Sequence, residues 1–476
     1  MQKKIQNFRM ARRKKLPEIK EVEIIDAGAK GKAVAKYNDK VVFTMYGVPG
    51  DIVNIQLTKK RKRYYEGKIT EILKYSSKRV DPVCSHFGVC GGCKWQSMDY
   101  QAQLYYKEKQ VKDNLTRLAK LELPDIESII PSPEIYHYRN KLEFTFSNKK
   151  WIENYSPDLD FTALDMRGLG FHLPGMYNRV LDIEHCHLQD KLNDKIRHAV
   201  KRYAIEHDMS FYDIQKQEGL LRNLIVRNTQ DGQWMVIVVF HEFSEKNEGL
   251  LRHLQQSFEQ ITSLHYVINP KMNDSIADLE VRHFSGEPWL VERMEDLQFR
   301  LGPKSFYQTN TPQALQMYRL VREYVDFQGD EVVYDLYTGT GTIALFVARS
   351  AGKVVGIEYV REAIDDARKN AVLNRIENVE FFAGDMVEVL NPDFIARNGK
   401  PDVIITDPPR AGMHPKVVKQ IINAGPEKII YVSCNPATQA RDLDILHEYY
   451  RITKVQPVDM FPHTHHVENI VVLEKR

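Results

Sequence analysis

The chain has 476 residues, a formal net charge of +3 and five cysteines. That length predicts roughly two to four domains, and an apolar content of 43% is sufficient for separate cores. No apolar run approaches the ~20 residues that a membrane-spanning helix requires, so the sequence disfavours a membrane protein. Because the overall charge is small, binding partners have to be inferred from local patches.

The beginning of the chain is strongly basic. Residues 3–15 contain several lysines and arginines and no acidic residue, so we expect residues 1–16 to form a disordered arm. No apolar segment follows them, which argues against a signal peptide. We therefore expect a cytoplasmic protein whose cysteines do not form disulfides.

Residues 17–76 are predicted to form a small OB-like β-barrel that binds RNA. Short alternating segments are separated by turn signals such as Pro49-Gly50, a pattern typical of such barrels. The run Lys59-Lys-Arg-Lys-Arg63 lies on a predicted hairpin and precedes Tyr64 and Tyr65. Cations can follow phosphates while aromatic rings stack on bases, so we predict RNA contact here. A solvated charged face is the alternative.

Four cysteines indicate a metal centre in a central domain, residues 77–302. They are Cys84, Cys90, Cys93 and Cys186. A compact group of thiolates with one distant partner suits a metal, and the glycines between the second and third cysteine let the chain wrap around it. Three histidines are close in sequence, namely His86, His185 and His187. The residues alone leave zinc and an iron–sulfur cluster as nearly equal alternatives.

The remainder of the central domain is predicted to be α+β. A helical stretch from Tyr100 to Ala119 is suited to pack on the C-terminal domain, and strand-like segments follow it. Residues 148–166 are predicted to be a loop insertion with no assigned role. Several basic residues are candidate phosphate contacts, with ordinary surface charge as an equal alternative. They are Arg139, Lys141, Arg222 and Arg227.

Residues 303–476 show the pattern of a doubly wound α/β domain, in which strands alternate with helices and end in polar residues. An apolar strand runs into Gly339 and Gly341, and later strands lead to Glu358, Asp385 and Asp407. Ligands bind at these strand ends, where glycines allow close approach and a helix N-terminus offers free N–H groups. The glycine loop fits NAD and S-adenosylmethionine about equally well.

Two further motifs favour methyl transfer to a base. Asp407-Pro-Pro after the fourth strand stiffens a loop beside the cofactor, although amino-group methylases have similar loops. Cys434 follows the strand Ile429–Ser433 and precedes Asn435-Pro436. A thiolate at this edge suits nucleophilic activation of an unreactive base.

These motifs occur in an order that resembles the RNA uracil-5-methyltransferases, and most closely the bacterial 23S rRNA branch with a TRAM domain and an iron–sulfur cluster. The resemblance covers nearly the whole chain. The motifs are Ser305-Phe-Tyr-Gln-Thr-Asn310, Asp335-Leu-Tyr-Thr-Gly-Thr-Gly341, Asp407-Pro-Pro-Arg-Ala-Gly412, Ser433-Cys-Asn-Pro436 and His466-Val-Glu-Asn469.

The resemblance implies a C-terminal Rossmann-like methyltransferase domain with Cys434 as the nucleophile, Glu468 as the base and Phe306 near the target base. It implies a 4Fe-4S cluster on Cys84, Cys90, Cys93 and Cys186. It implies S-adenosylmethionine contacts from Gln308, Tyr337, Gly339, Gly341, Thr342, Glu358, Asp385 and Asp407. Many relatives have Cys-Gly-x-Gly-Asn in the loop where this chain has Thr338 and Thr342.

The expected activity is therefore transfer of a methyl group to C5 of a uridine in 23S rRNA. The same methylation on tRNA, an amino-group methylase and a noncatalytic RNA-binding protein are the alternatives. We expect RNA as the partner, neither DNA nor a membrane, and a monomeric protein.

Overall fold

The computed structural model describes residues 16–476 except 119–121, 154, 155, 157, 159 and 161–163. The predicted N-terminal arm therefore lies almost wholly outside the described residues, as do parts of the 148–166 insertion. Within the described residues, no helix is both long and apolar enough to span a membrane.

The N-terminal part forms a six-stranded sheet with the order β1-β5-β6-β4-β3-β2. Its strands are β1 (Glu18–Glu23), β2 (Asp26–Ala27), β3 (Lys32–Tyr37), β4 (Lys40–Met45), β5 (Ile52–Lys60) and β6 (Tyr64–Lys74). Alternating residues of these strands, including Ala35, Val42 and Ile55, point into one small apolar core, as the period of two along a strand requires.

The basic run lies at the β5–β6 hairpin and is exposed to solvent. Lys59 forms an ion pair with Glu66 at 3.2 Å. Lys60 is the last residue of β5, and the next three residues form the turn beyond the strands. Tyr64 is half-buried and packs edge-on against Phe43, with ring centroids 5.4 Å apart. Tyr65 is 8% exposed and belongs to the core, so the prediction that it stacks on a base is wrong.

The central part is built on a seven-stranded sheet with the order β13-β12-β11-β10-β7-β8-β9. Its strands are β7 (Lys141–Ser147), β8 (Gly168–Leu173), β9 (Met176–Asp182), β10 (Leu221–Asn228), β11 (Trp234–Phe240), β12 (Ile261–Ile268) and β13 (Val281–Gly286). Two helices, α2 (Leu192–Glu206) and α3 (Glu245–Ser257), accompany this sheet.

Both faces of the central strands are covered. Leu224 and Val238 belong to a core with residues of α2 and α3, whereas Ile225 and Ile237 belong to the core of the C-terminal part. This explains why β10 and β11 have near-continuous apolar sequences instead of a clean polar alternation. A hairpin of β14 (Leu290–Met294) and β15 (Leu297–Leu301) continues the chain.

Burial rules out two of the predicted phosphate contacts. Arg222 is 1% exposed and donates to backbone carbonyls, at 2.7 Å for that of Asn269. Arg227 is 3% exposed and donates to the Ser305 carbonyl at 2.9 Å. Each guanidinium satisfies buried backbone oxygens, as buried charges require, and is unavailable to RNA.

The C-terminal part contains a seven-stranded sheet with the order β18-β17-β16-β19-β20-β22-β21. Its strands are β16 (Val332–Leu336), β17 (Lys353–Glu358), β18 (Val379–Ala383), β19 (Val403–Thr406), β20 (Lys428–Ser433), β21 (Tyr450–Val458) and β22 (Glu468–Lys475). The strands from β18 to β20 pair in parallel, and β22 is antiparallel to both of its neighbours.

Helices cover both faces of this sheet, as expected for a doubly wound fold. They are α4 (Thr311–Val325), α5 (Thr342–Ala348), α6 (Arg361–Leu373), α7 (Met386–Val389), α8 (Pro392–Asn398), α9 (Pro415–Ala424) and α10 (Pro436–Leu446). Helix α4 begins with Asn310 as its N-cap and has Pro312 in its first turn, both of which favour the start of a helix.

Helix α1 (Tyr100–Leu118) precedes the central sheet in sequence but packs on the C-terminal domain. Leu104, Val111 and Leu115 share a core with residues of α10 and β21. The helix therefore contributes to the core of the C-terminal domain although it ends 193 positions before α4 begins.

Candidate active site

The predicted site residues converge at one edge of the C-terminal sheet. Tyr337 follows β16, Glu358 ends β17, Asp407 follows β19 and Cys434 follows β20. Because these strands are parallel, their carboxyl ends lie side by side, which is where ligands bind in such folds. Asp385 lies two residues beyond β18 at the same edge.

The glycine loop between β16 and α5 has the backbone geometry that only glycine adopts readily. Gly339 and Gly341 have φ values of 56° and 78°. A Cβ at Gly341 would lie 2.8 Å from the Phe381 ring, whereas nothing lies within 4 Å of a Cβ at Gly339. Gly341 is therefore required by packing, and Gly339 leaves the loop open to a ligand.

Asp335 holds this loop from inside the sheet. Its carboxylate accepts hydrogen bonds from the Thr338 hydroxyl at 2.5 Å and from Ala344 N–H at 3.0 Å. Burial raises the pKa of Asp335 to about 7, against the lowering effect of those two donors. The threonine that replaces the usual cysteine of the family motif therefore still contributes a loop contact.

The predicted cofactor carboxylates flank the loop. Glu358 accepts hydrogen bonds from Gly339 N–H at 3.2 Å and from Val360 N–H at 2.9 Å. Asp385 caps α7 by accepting from Val387 N–H at 2.8 Å. Both charges act on Tyr337, whose pKa burial raises to about 12. These three side chains therefore lie near one another at this edge.

Two other predicted cofactor residues lie close to helix α4. Gln308 precedes α4, and its backbone carbonyl accepts from the Asn140 side chain at 2.8 Å. The Thr342 hydroxyl lies 3.5 Å from the hydroxyl of Tyr318. Burial raises the pKa of Tyr318, and the charges of Asp407, Asp335 and Glu468 raise it further, which places its ring among the acidic residues of the site.

Strand register brings Cys434 beside Glu468. Ser433 pairs with Asn469 in the antiparallel ladder of β20 and β22, so the next residue of one strand faces the preceding residue of the other. The charge of Glu468 raises the pKa of Cys434, and Glu468 itself is 5% exposed. A half-buried thiol and a buried carboxyl group therefore lie together where the two strands meet.

Arg410 is a candidate site residue to which the sequence analysis gave no role. Burial and the charges of Glu468 and Asp407 raise the pKa of Cys434 to about 11, and Arg410 acts against them by lowering it. Burial and Asp407 raise the pKa of Glu468 to about 8, again against Arg410. Its position three residues after Asp407 in the quoted motif was the signal that could have identified it.

The predicted metal cysteines lie in other segments of the chain. Cys84, Cys90 and Cys93 precede α1, and Cys186 precedes α2. The four are close enough for their charges to act on one another, because burial and then the charge of Cys186 raise the pKa of Cys93. Among the described residues, no group of three or more His, Cys, Asp or Glu side chains is arranged to hold a metal ion.

Comparison with known proteins agrees with this geometry. Residues 227–476 match the sequence model of the tRNA (uracil-5-)-methyltransferase family, and residues 13–70 match that of the TRAM domain. The chain therefore belongs to the tRNA (uracil-5-)-methyltransferase family and is an S-adenosylmethionine-dependent RNA (uracil-5-)-methyltransferase. The predicted family, TRAM domain and enzyme class are confirmed, and the choice between NAD and S-adenosylmethionine is decided for the latter.

Several proteins are similar over almost their whole length. An uncharacterised RNA methyltransferase of Bacteroides thetaiotaomicron is 54% identical, over 94% of this chain and 100% of the relative. One from Porphyromonas gingivalis is 52% identical, over 95% and 99%. The crystal structure of Pyrococcus abyssi tRNA (uracil-54, C5)-methyltransferase with S-adenosyl-L-homocysteine matches with a TM-score of 0.74 and 28% identity, over 95% of this chain and 100% of that chain.

The raised pKa of Cys434 predicts how fast this thiol is alkylated as the pH changes. Only the thiolate reacts, so the rate of iodoacetamide labelling, measured on the Cys434 peptide by mass spectrometry, should rise through pH 10. Arg410→Met removes the charge that favours the thiolate and should slow labelling at pH 9 roughly tenfold, the effect of about one pKa unit. Arg410→Lys keeps the charge and is the control. A plateau near pH 9 in the wild type would contradict the assignment.

Proposed function

We propose that the chain methylates C5 of a uridine in 23S rRNA, with Cys434 as the nucleophile and Glu468 as the base. The observation that carries this proposal is that the half-buried Cys434 and the buried Glu468 lie side by side at the ends of β20 and β22, next to Arg410. A pairing of thiol and carboxyl group is unnecessary for methylation of an exocyclic amine, whereas it suits a ring carbon that needs nucleophilic activation and then loses a proton.

The chemistry explains the pairing. Uracil C5 is too weakly nucleophilic to accept a methyl group directly. Addition of the Cys434 sulfur to C6 moves the double-bond electrons into an enolate, whose C5 then takes the methyl group that S-adenosylmethionine supplies. Glu468 removes the C5 proton, the double bond re-forms, and the thiolate leaves.

The electrostatics of the chain suit these steps. Burial keeps Cys434 largely protonated at neutral pH in the free protein, and Arg410 is positioned to stabilise the thiolate when it forms. A carboxyl group whose pKa is raised to about 8 is a stronger base than an exposed glutamate and is matched to neutral pH.

Two substitutions separate the proposed roles. Cys434→Ala should abolish methylation and leave S-adenosylmethionine binding within a few-fold of the wild type, as measured by calorimetry. Glu468→Gln should retain a methylated covalent protein–RNA adduct, visible on a denaturing gel, because the C5 proton cannot leave. The Cys434→Ala/Glu468→Gln double variant is the control and should form no adduct. Normal release of methylated RNA by Glu468→Gln would show that the base is wrong.

RNA binding is proposed to involve the N-terminal part and the mouth of the site. The exposed basic hairpin of β5 and β6 can follow phosphates. Phe306 is 68% exposed and precedes Gln308, so it is placed to contact the flipped base. We propose the division into an arm (1–16), a TRAM domain (17–76), a central domain (77–302) and a methyltransferase domain (303–476), with α1 packed on the last.

The RNA substrate has a second candidate. The Pyrococcus abyssi enzyme acts on tRNA, and the match covers 100% of that chain. A TRAM-containing chain of this length is therefore compatible with a tRNA substrate, and the domain content alone does not select rRNA. We retain 23S rRNA as the proposed substrate and uridine in tRNA as the alternative that this similarity favours.

Mass mapping of RNA from a strain that lacks the gene decides between the two substrates. We expect 5-methyluridine to be lost from 23S rRNA while tRNA keeps its full content. Expression of the wild-type gene should restore the modification, and the Cys434→Ala gene should not. Loss from tRNA with unchanged 23S rRNA would replace the proposal by its alternative.

We further propose that Cys84, Cys90, Cys93 and Cys186 hold a 4Fe-4S cluster that organises the central domain. The donor set suits a cluster, because the four partly buried thiols lie close enough to raise one another's pKa values, and a cation among them would favour the thiolate forms. Two of the nearby histidines have other partners. His86 Nε2 accepts from Glu184 N–H at 2.9 Å, and His185 Nδ1 lies 3.4 Å from Asp194. This leaves a set of four thiols, which an iron–sulfur cluster uses.

Anaerobic purification tests the cluster independently of activity. The protein should be brown, with broad visible absorption and about four iron atoms per chain. Cys186→Ala should lose the colour and most of the iron. Cys434→Ala, which changes the remaining cysteine, should keep both. A colourless wild-type protein with stoichiometric zinc would disprove the cluster.

A further inference from the structure

The connection between β21 and β22, residues 459–467, is anchored by side chains of α1. The fully buried Lys107 donates to the Asp459 carboxylate and, at 3.0 Å, to the Phe461 carbonyl. Tyr100 donates to the other oxygen of Asp459 at 3.0 Å. A buried ion pair holds a fixed geometry when hydrogen bonds satisfy its remaining groups, as they do here.

His463, in the middle of this connection, has a backbone conformation that requires support. Its φ of 65° lies in the left-handed region, which is costly for a non-glycine residue. Gln103 of α1 accepts from His463 N–H at 2.8 Å and lies 3.2 Å from its ring Nδ1. Trp95 N–H donates to the His463 carbonyl at 3.0 Å, and Tyr136 stacks on the imidazole with centroids 4.4 Å apart.

The other end of the connection enters the active site. Burial lowers the pKa values of His465 and His466, and the charge of Arg410 lowers both further, which places these rings near the catalytic arginine. Glu468 is the first residue of β22, so the strand ladder fixes the chain that follows it. The connection fixes the chain that precedes it.

We propose that Gln103 and Lys107 are positioning residues for proton removal. Through His463 and Asp459 they hold the connection so that Glu468 faces C5 of the methylated base. The inference rests on the proposed role of Glu468. Methyl transfer depends instead on Cys434 and the cofactor loop, which follow other strands of the sheet, so loss of these contacts should affect the two chemical stages unequally.

Single-turnover assays can measure the two stages separately. Transcripts of 23S rRNA and of tRNA made with [5-³H]UTP release tritium only when the C5 proton leaves, whereas ¹⁴C-methyl incorporation reports methyl transfer. In Gln103→Ala, methyl incorporation should stay close to the wild-type rate. Tritium release should slow roughly tenfold to a hundredfold, as expected for a catalytic group displaced by about 1 Å, and the methylated adduct should accumulate.

Leu115→Ala is the matched control on the same helix. Leu115 is buried in the core that α1 shares with α10, so this change weakens helix packing and should lower both signals in parallel. Lys107→Met/Asp459→Leu removes both members of the ion pair, leaves no unpaired charge, and provides a second measurement if Gln103→Ala does not fold. It should also slow tritium release selectively.

Glu468→Gln distinguishes failure of this inference from failure of the proposed function. If Glu468→Gln blocks tritium release and the Gln103 and Lys107 variants lower both signals together, the positioning role is wrong and the base stands. If Glu468→Gln releases tritium at the wild-type rate, the proposed base is wrong and the positioning inference falls with it.

Discussion

The active site depends on acidic groups that are buried together at one edge of a sheet. Burial raises the pKa values of Asp335 and Asp407 to about 7 and that of Glu468 to about 8. The same burial, with the charges of Glu468 and Asp407, raises the pKa of Cys434. Arg410 is the cation that opposes these effects at the thiol and at Glu468. A positively charged methyl donor bound at this edge would favour the ionised forms further.

Sheet topology makes this burial possible. Parallel strands bring the glycine loop, Asp407 and Cys434 to the edge at which their carboxyl ends lie. The antiparallel β22 lies between β20 and β21 and begins at that edge. Its first residue, Glu468, therefore lies beside the residue that follows β20.

The long-range packing of α1 joins this edge to the cysteine-containing segment. Trp95, two residues after Cys93, contacts His463 through a backbone hydrogen bond, and the helix that follows supplies Gln103 and Lys107. A segment of residues 77–302 therefore completes the core of the C-terminal domain. A buried pair such as Lys107 and Asp459 also specifies one arrangement, since a shifted helix would leave a charge unpaired.

The sequence by itself determined the elements whose information is local. Apolar strands, the Gly339–Gly341 turn, the N-cap of α4 and the cysteine after β20 were all predictable, because each depends on a few neighbouring residues. Tertiary structure alone decided which charges are buried. Arg222 and Arg227 resemble surface cations until the fold surrounds them with carbonyl oxygens, and Tyr65 becomes a core residue. Lys107 meets a carboxylate 352 positions away, and no local pattern encodes that contact, because its stability comes only from the assembled core.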